Sequence, residues 1–333
     1  MTVAENIQSI FLDQIKRKLK SNESLADELA EILNISRDSA YRRIRGETVL
    51  SLDEAKLLCL RYGVSLDNLI RGTGEMVSFH YRVVDSTTFT FDKWLKFILT
   101  NLELLRQFPE KFPEKLLIHF CKDFPVLYYF NSPLLSPFKM FLWMNSVLRI
   151  ESYRGLKFSP DLVPASIIAN GEQVYKLYSE TPRIEIWSEE TINVTLRQIE
   201  FYHECGFLAE PKFAVQLCDE YLALVREIRA WATVGYKEKP EYRFNLYKND
   251  LLIGDNTIFF RMGDKRTTFI PSNTMNILTT SDDSFCKTTE DYLLNLTSKS
   301  VLISTSGEKD RNKFFNLVEE KILHTRNRML APN

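Results

Sequence analysis

The chain is 333 residues long, more than one ordinary domain holds, so two or three separate cores are expected. Hydrophobic residues make up 44% and charged residues 26%, a balance that excludes a disordered chain. With 43 basic against 44 acidic residues the formal net charge is −1, which excludes a protein coated along its whole length by nucleic acid, so any such partner must meet a local patch.

The first seventy residues read as five short helical patterns joined by turns of a few residues. Ile7, Ile10, Phe11 and Ile15 recur at helical spacing, and Lys16, Arg17, Lys18 and Lys20 close that helix where cations suit the negative end of its dipole. A second helix puts Leu25, Leu29, Ile32 and Leu33 on one face and stops at Asn34, a residue that tolerates the left-handed conformation of a tight turn. Ser36 is placed as the N-cap of a third helix beginning at Arg37. At about 100° per residue, Ala40 and Ile44 mark its buried side, while Asp38, Ser39, Arg42 and Arg45 point away. Arg37, Arg42, Arg43 and Arg45 against Asp38 give this helix a charge of +3, and Gly46 ends it. A fourth helix runs from a cap at Ser51 through Leu52, Ala55, Leu58 and Cys59 to Tyr62-Gly63, and a short fifth element covers 65–69.

The string Leu25-Ala26-Asp27-Glu28-Leu29-Ala30-Glu31-Ile32-Leu33-Asn34-Ile35-Ser36-Arg37-Asp38-Ser39, followed by Arg45-Gly46 and by Tyr62-Gly63-Val64-Ser65-Leu66-Asp67-Asn68-Leu69, resembles the Cro/phage-repressor (XRE) helix-turn-helix family. The resemblance covers about residues 6–70, roughly a fifth of the chain, and is silent on the remainder. It implies a five-helix DNA-binding domain whose third helix enters the major groove. Carried over residue by residue, it makes Arg37, Asp38 and Arg42 the base readers and sets Ser36, Ser39, Tyr41, Arg43 and Arg45 nearer the DNA backbone. The chemistry agrees: arginine forks onto guanine O6 and N7, and aspartate accepts from cytosine N4. Two positions depart from the pattern. The glutamine common near the start of the second helix is here Ala26, and the apolar residue often found three after the Ala40 position is Arg43, with Ile44 taking the packing role. Without the resemblance, the third helix would read as the solvated basic face of an ordinary bundle.

Gly72-Thr73-Gly74 offers the first joint, so a domain boundary is set near residue 75, and 77–84 alternates as a strand. Phe91, Trp94, Phe97, Ile98, Leu102 and Leu105 make one face of a helix ended by Pro109. The aromatic series Phe120, Phe124, Tyr128, Tyr129, Phe130, Phe138, Phe141 and Trp143 reads either as plain core or as the lining of a ligand pocket. Ser159-Pro160 opens a helix, Ser188 caps one over 189–205 and Pro211 starts another that ends at Gly235. After residue 238 the texture changes to short β-rich runs at 242–247, 251–253, 257–262 and 267–270, a helix over 284–296, a strand over 300–304 and a last helix from 308 to about 328. The fold expected is mainly α with a C-terminal α+β region: a helix-turn-helix domain over 1–75, a mainly helical domain over 76–238, and a domain over 239–333 with a mixed antiparallel sheet and helices.

Catalytic patterns do not emerge. Gly72-Thr73-Gly74 lacks the third glycine and the setting of a nucleotide fingerprint, and His203-Glu204-Cys205 lacks the second histidine of an HExxH metal site. His80, His119, His203 and His324 stand far apart, and the five cysteines at 59, 121, 205, 218 and 286 contain no CxxC pair, which argues for a reducing cytoplasm over a disulfide or zinc framework. The N-terminus has no uninterrupted apolar export signal, and the long uncharged run 124–138 is broken by Pro125, Pro133 and Pro137. The sequence therefore points to a one-component transcriptional regulator without metal or cofactor and without a membrane partner. It would bind double-stranded DNA as a homodimer in the cytoplasm, and its large C-terminal region would dimerise and answer a small-molecule or protein effector. The alternatives are a protein-interaction adaptor or antitoxin-like repressor controlled by a protein partner, and an enzyme carrying an appended DNA-binding module.

Overall fold

A computed structural model describes residues 6–19, 23–64, 66, 77–82, 89–107, 115–250 and 254–330, and its chain divides into two units, 1–78 and 79–333. The described residues hold twelve α-helices and one eight-stranded sheet. Among them no helix is long and apolar enough to cross a membrane.

Local signals account for the first unit. Helices α1 (Ile7–Lys16), α2 (Leu25–Leu33), α3 (Arg37–Ile44) and α4 (Leu52–Tyr62) follow in close succession. Asn34 ends α2 in the left-handed conformation (φ 51°), Ser36 caps α3 by accepting from the Ser39 amide, and Ser51 and Glu54 form a reciprocal capping box on α4. Phe11, Leu12, Ile15, Leu29, Ala40, Ala55, Leu58 and Val64 form the shared core; Phe11, Ile15, Leu29, Ala40, Ala55 and Leu58 are expected there from their spacing, whereas Ile7 and Leu52, expected on the same faces, are exposed. Two polar clamps bind the layers. Gln8 of α1 donates to the carbonyls of Arg43 and Thr48 (both 2.8 Å) and accepts from the Leu50 amide (2.8 Å), and Lys18 Nζ donates to the last carbonyls of α4 at Tyr62 and Gly63 (2.9 and 2.8 Å). Of the fifth element expected over 65–69, only residue 66 is described. The joint at 72–74 and the run at 251–253 also lie outside the described residues.

The second unit is built on a sheet of order β1-β7-β6-β5-β2-β3-β4-β8. Its strands are β1 (His80–Arg82), β2 (Lys115–Cys121), β3 (Arg183–Trp187), β4 (Phe244–Lys248), β5 (Ile258–Met262), β6 (Lys265–Ser272), β7 (Asn276–Thr280) and β8 (Val301–Leu302). The β2–β3 and β3–β4 pairs are parallel and all others antiparallel. Parallel neighbours require crossovers. Helices α6 (Val126–Tyr129), α7 (Leu135–Leu142) and α8 (Ala165–Glu180) make the first, and α9 (Asn193–Glu204) and α10 (Lys212–Val234) make the second. Helix α5 (Phe91–Gln107) precedes β2, α11 (Asp283–Ser298) precedes β8, and α12 (Glu308–Leu330) packs along α10.

This sheet corrects the boundary expected at 238/239. β4 bonds to β3 and β5 bonds to β2, so strands assigned to a separate C-terminal domain flank the two central strands of the supposedly helical one. No cut at that point would leave either ladder satisfied. β2, β3 and β7 were also absent from the expected elements. β2 is buried on both faces and reads as a nearly continuous apolar run without alternation. Ile118, Phe120, Ile186 and Phe259 meet Cys286, Leu293 and Leu296 of α11 on one side of the sheet. Leu117, Cys121, Trp187, Phe244 and Phe260 join the larger core on the other, where α5, α7, α8, α10 and α12 contribute Trp94, Phe138, Tyr178, Tyr221 and Phe314.

Two helix starts also move. Pro160–Leu162 is a single 3-10 turn and α8 begins after Pro164, while Ser188 and Thr191 close a turn ahead of α9, whose first residue is Asn193. The α10 stop at Gly235 stands: its φ of +85° suits glycine, and a Cβ there would lie 2.2 Å from the Thr305 methyl.

Candidate functional site

Helix α3 and its C-cap present three exposed cations, Arg37, Arg42 and Arg45. Ala40 is fully buried against Leu29, Ala55 and Leu58, which turns the opposite side of a two-turn helix to solvent. Ser36, Arg37, Asp38, Tyr41, Arg42 and Arg45 are exposed and Ser39 is half-buried. Ser36 and Ser39 share a hydroxyl hydrogen bond (3.0 Å) beside the cap, and the Arg37 guanidinium lies 5.9 Å from the Tyr41 ring centre.

Each of the four arginines faces an acid. Arg37 reaches Asp27 of α2 at 2.9 Å, Arg45 reaches Glu47 at 2.6 Å, and Arg42 lies 3.9 Å from the same Glu47. These three guanidiniums remain more than half exposed, so water screens their pairs and a phosphate can displace the acid. Arg43 differs. Its side chain is only 14% exposed, it grips Glu54 of α4 through two hydrogen bonds (2.7 and 3.3 Å), and it also donates to the Ser39 carbonyl (3.3 Å). The position expected near the DNA backbone is therefore an internal strut between α3 and α4. The arginine that breaks the apolar pattern of the resemblance keeps the packing role and performs it with charge.

Glu47, Glu54 and Gln8 were not anticipated as parts of this face. Glu54 carried a signal, the Ser51-to-Glu54 capping-box spacing, but its second hydrogen-bonding duty toward Arg43 depends on how α4 crosses α3. Gln8 holds the C-terminal end of α3 in place from α1, while Ala26, where the resemblance leads one to look for a glutamine, is simply buried. The module also exposes Val49, Leu52 and Leu60 at 79%, 84% and 74%, so its surface is less uniformly polar than its composition suggests.

In the second unit the polar groups are sealed inside. Alternation along β3 sends Arg183, Glu185 and Trp187 to the helical side of the sheet. Arg183 donates to the carbonyls of Tyr178, Ser179 and Thr181 at the end of α8, and to Glu185 at 2.8 Å. Glu185 also accepts from the Tyr128 hydroxyl, from the Tyr178 hydroxyl (2.7 Å) and from the Trp187 indole (2.8 Å). His119 Nδ1 lies 2.8 Å from the Tyr178 hydroxyl, and burial, assisted by the Arg183 charge, lowers its pKa to about 4. A histidine linked through a tyrosine to a carboxylate can relay protons, but this one is neutral at ordinary pH and the carboxylate is saturated with donors. Burial also pushes the Cys121 thiol well above its usual range, which keeps it protonated and unreactive.

Comparison with family models, with curated proteins and with solved structures finds no match to this chain.

Proposed function

We propose that the chain is a sequence-specific DNA-binding regulator that docks α3 in the major groove, with Arg37, Asp38 and Arg42 on base edges and Ser36, Ser39, Tyr41 and Arg45 toward the phosphates. The observation that carries this reading is the outward face of α3. A short capped helix, pinned from behind by Ala40, Gln8 and Arg43, leaves three arginines in solvent with only exchangeable surface partners. One such helix reads too few base pairs to specify a site, so the active species is a homodimer addressing two half-sites about 34 Å apart. The mechanism is binding, not turnover.

The exposed Val49, Leu52 and Leu60 favour a second reading, in which the first unit docks a protein and the chain acts as an adaptor or a partner-controlled repressor. Selection of the full-length protein on a random duplex library, followed by fluorescence anisotropy across a salt series, separates the two. Enrichment of a two-fold symmetric sequence with strongly salt-dependent affinity supports DNA reading. Failure to retain any duplex at low salt overturns it.

A further inference from the structure

Lys139 is the one charge on α7, whose eight residues are all buried. It is 5% exposed, too deep for its ammonium to snorkel to water. Its Nζ donates to Thr195 Oγ1 (2.8 Å) and Gln198 Oε1 (2.5 Å) of α9 and sits 4.7 Å from the centre of the Tyr129 ring. Among the described residues it forms no ion pair, whereas Arg183, buried in the same unit, has Glu185, and Arg311, equally buried, donates to the backbone carbonyls of Ile303 and Ser306. Its neighbour Asp123 is engaged by Asn256 through the side chain (3.1 Å).

The lysine lines a cavity of about 200 Å³ whose apolar wall includes Trp94, Trp143, Met275 and Ile277 and whose polar lining includes Gln198, Asn256 and the same Asp123. An apolar cavity of about 150 Å³ admits benzene, so this one admits a single ring or a short chain together with a small polar head. A lone cation at the edge of such a space selects for one negative charge. Two charges would leave the second unpaired in an apolar surround, and a neutral body would leave the ammonium as it is. Gln198, with its Oε1 committed to Lys139, keeps its amide N–H groups as donors for the same head group.

We propose that this cavity binds a small apolar monocarboxylate, its carboxylate paired with the Lys139 ammonium and bonded by Gln198, and its ring or short alkyl body laid against Trp94 and Trp143. The site rests on the second unit alone and stands whether or not the chain reads DNA. Burial lowers the Lys139 pKa to about 7, against the opposing charge of Asp123, so an acid entering the cavity supplies the direct ion pair that Asp123, held by Asn256, does not make.

The test uses the full-length protein, with tryptophan fluorescence and calorimetry reading titrations of phenylacetate, hexanoate, phenylacetamide and inorganic phosphate. Saturable one-to-one binding of phenylacetate or hexanoate is expected. Phenylacetamide should bind at least about tenfold more weakly, phosphate should not saturate, and Lys139→Met should lose about tenfold or more in acid affinity. The proposal is overturned by equal binding of the acid and its amide, by unchanged acid binding in Lys139→Met, by preference for phosphate, or by no saturation with either acid up to about 10 mM. The acid and amide comparison is made on the unaltered chain, so it decides the matter even if the variant does not fold.

Discussion

Charge is handled in opposite ways in the two units. On α3 the guanidiniums of Arg37, Arg42 and Arg45 pair with Asp27 and Glu47 in full contact with water, where a partner can replace the acid at little cost. Inside the second unit the Arg183 and Glu185 side chains have no solvent exposure at all, and every nitrogen and oxygen of the pair is hydrogen-bonded, to each other or to Tyr128, Tyr178, Trp187 or the end of α8. The lesson is that available charge and architectural charge are told apart by the partners around them and not by residue type. Arg43 makes the point within a single helix: one position from Arg42, it belongs with the architecture because Glu54 closes on it.

The largest effect that would break this contrast is on the buried pair. Glu185→Gln leaves the Arg183 charge uncompensated in the core and should cost about 3–5 kcal/mol of stability in the second unit. All four tryptophans, at 94, 143, 187 and 231, lie in that unit, so their fluorescence during urea unfolding reports on it alone. A loss below about 1 kcal/mol would mean that the network is not holding the fold.

Next in size is Arg43→Ala, which removes the strut between α3 and α4 and should lower local stability by about 1.5–3 kcal/mol. Hydrogen exchange of the α3 and α4 amides in the native state measures this. The same exchange rates should hardly respond to Arg42→Ala, since Arg42 braces nothing.

Lys139 sharpens the comparison because it is sealed like Arg183 yet unpaired. Its folded pKa of about 7 lies below the ordinary lysine value of 10.5, so between those limits the unfolded chain binds more protons and stability rises with pH. Lys139→Met removes this contribution. The variant should therefore be stabilised most at or below pH 7, and its advantage should shrink by up to about 1.4 kcal/mol per pH unit toward pH 10. Paired urea unfolding curves of the two proteins at pH 7 and pH 9 give the slope. A pH-independent difference would mean that the ammonium is not desolvated.

The smallest effect belongs to Glu47, which holds Arg45 and stands near Arg42. Glu47→Gln frees both arginines and should tighten DNA binding by about two- to fivefold at low salt, with the gain fading as salt rises. Anisotropy at two salt concentrations reads it, and weakened binding would assign Glu47 a contact of its own.

What was legible in the sequence follows the range of the interactions involved. The first unit was readable because its determinants are local: Asn34, Ser36, Gly46, Ser51 and Gly63 each act on backbone within a few residues. The carry-over from the resemblance set Arg43 toward the DNA backbone, and nothing local corrected it, since the Glu54 that turns it inward arrives from the next helix. The central sheet was harder. The 115–121 run is apolar on both faces and shows no alternation, and 183–187 carries Arg183 and Glu185, charges that ordinarily argue against burial but here neutralise each other. Lys139 went unnoticed for a related reason: the aromatic series around it drew attention to the rings, while the informative residue was the single charge in a helix apolar on every side.

Base preference at α3 tests the central claim most directly. Arg42→Ala, assayed by selection on random duplexes and by anisotropy on the preferred site, should cost about 1–3 kcal/mol there and relax preference at one base position per half-site. An unchanged preference with a uniform loss of affinity would contradict this orientation of α3 and move base reading to another surface.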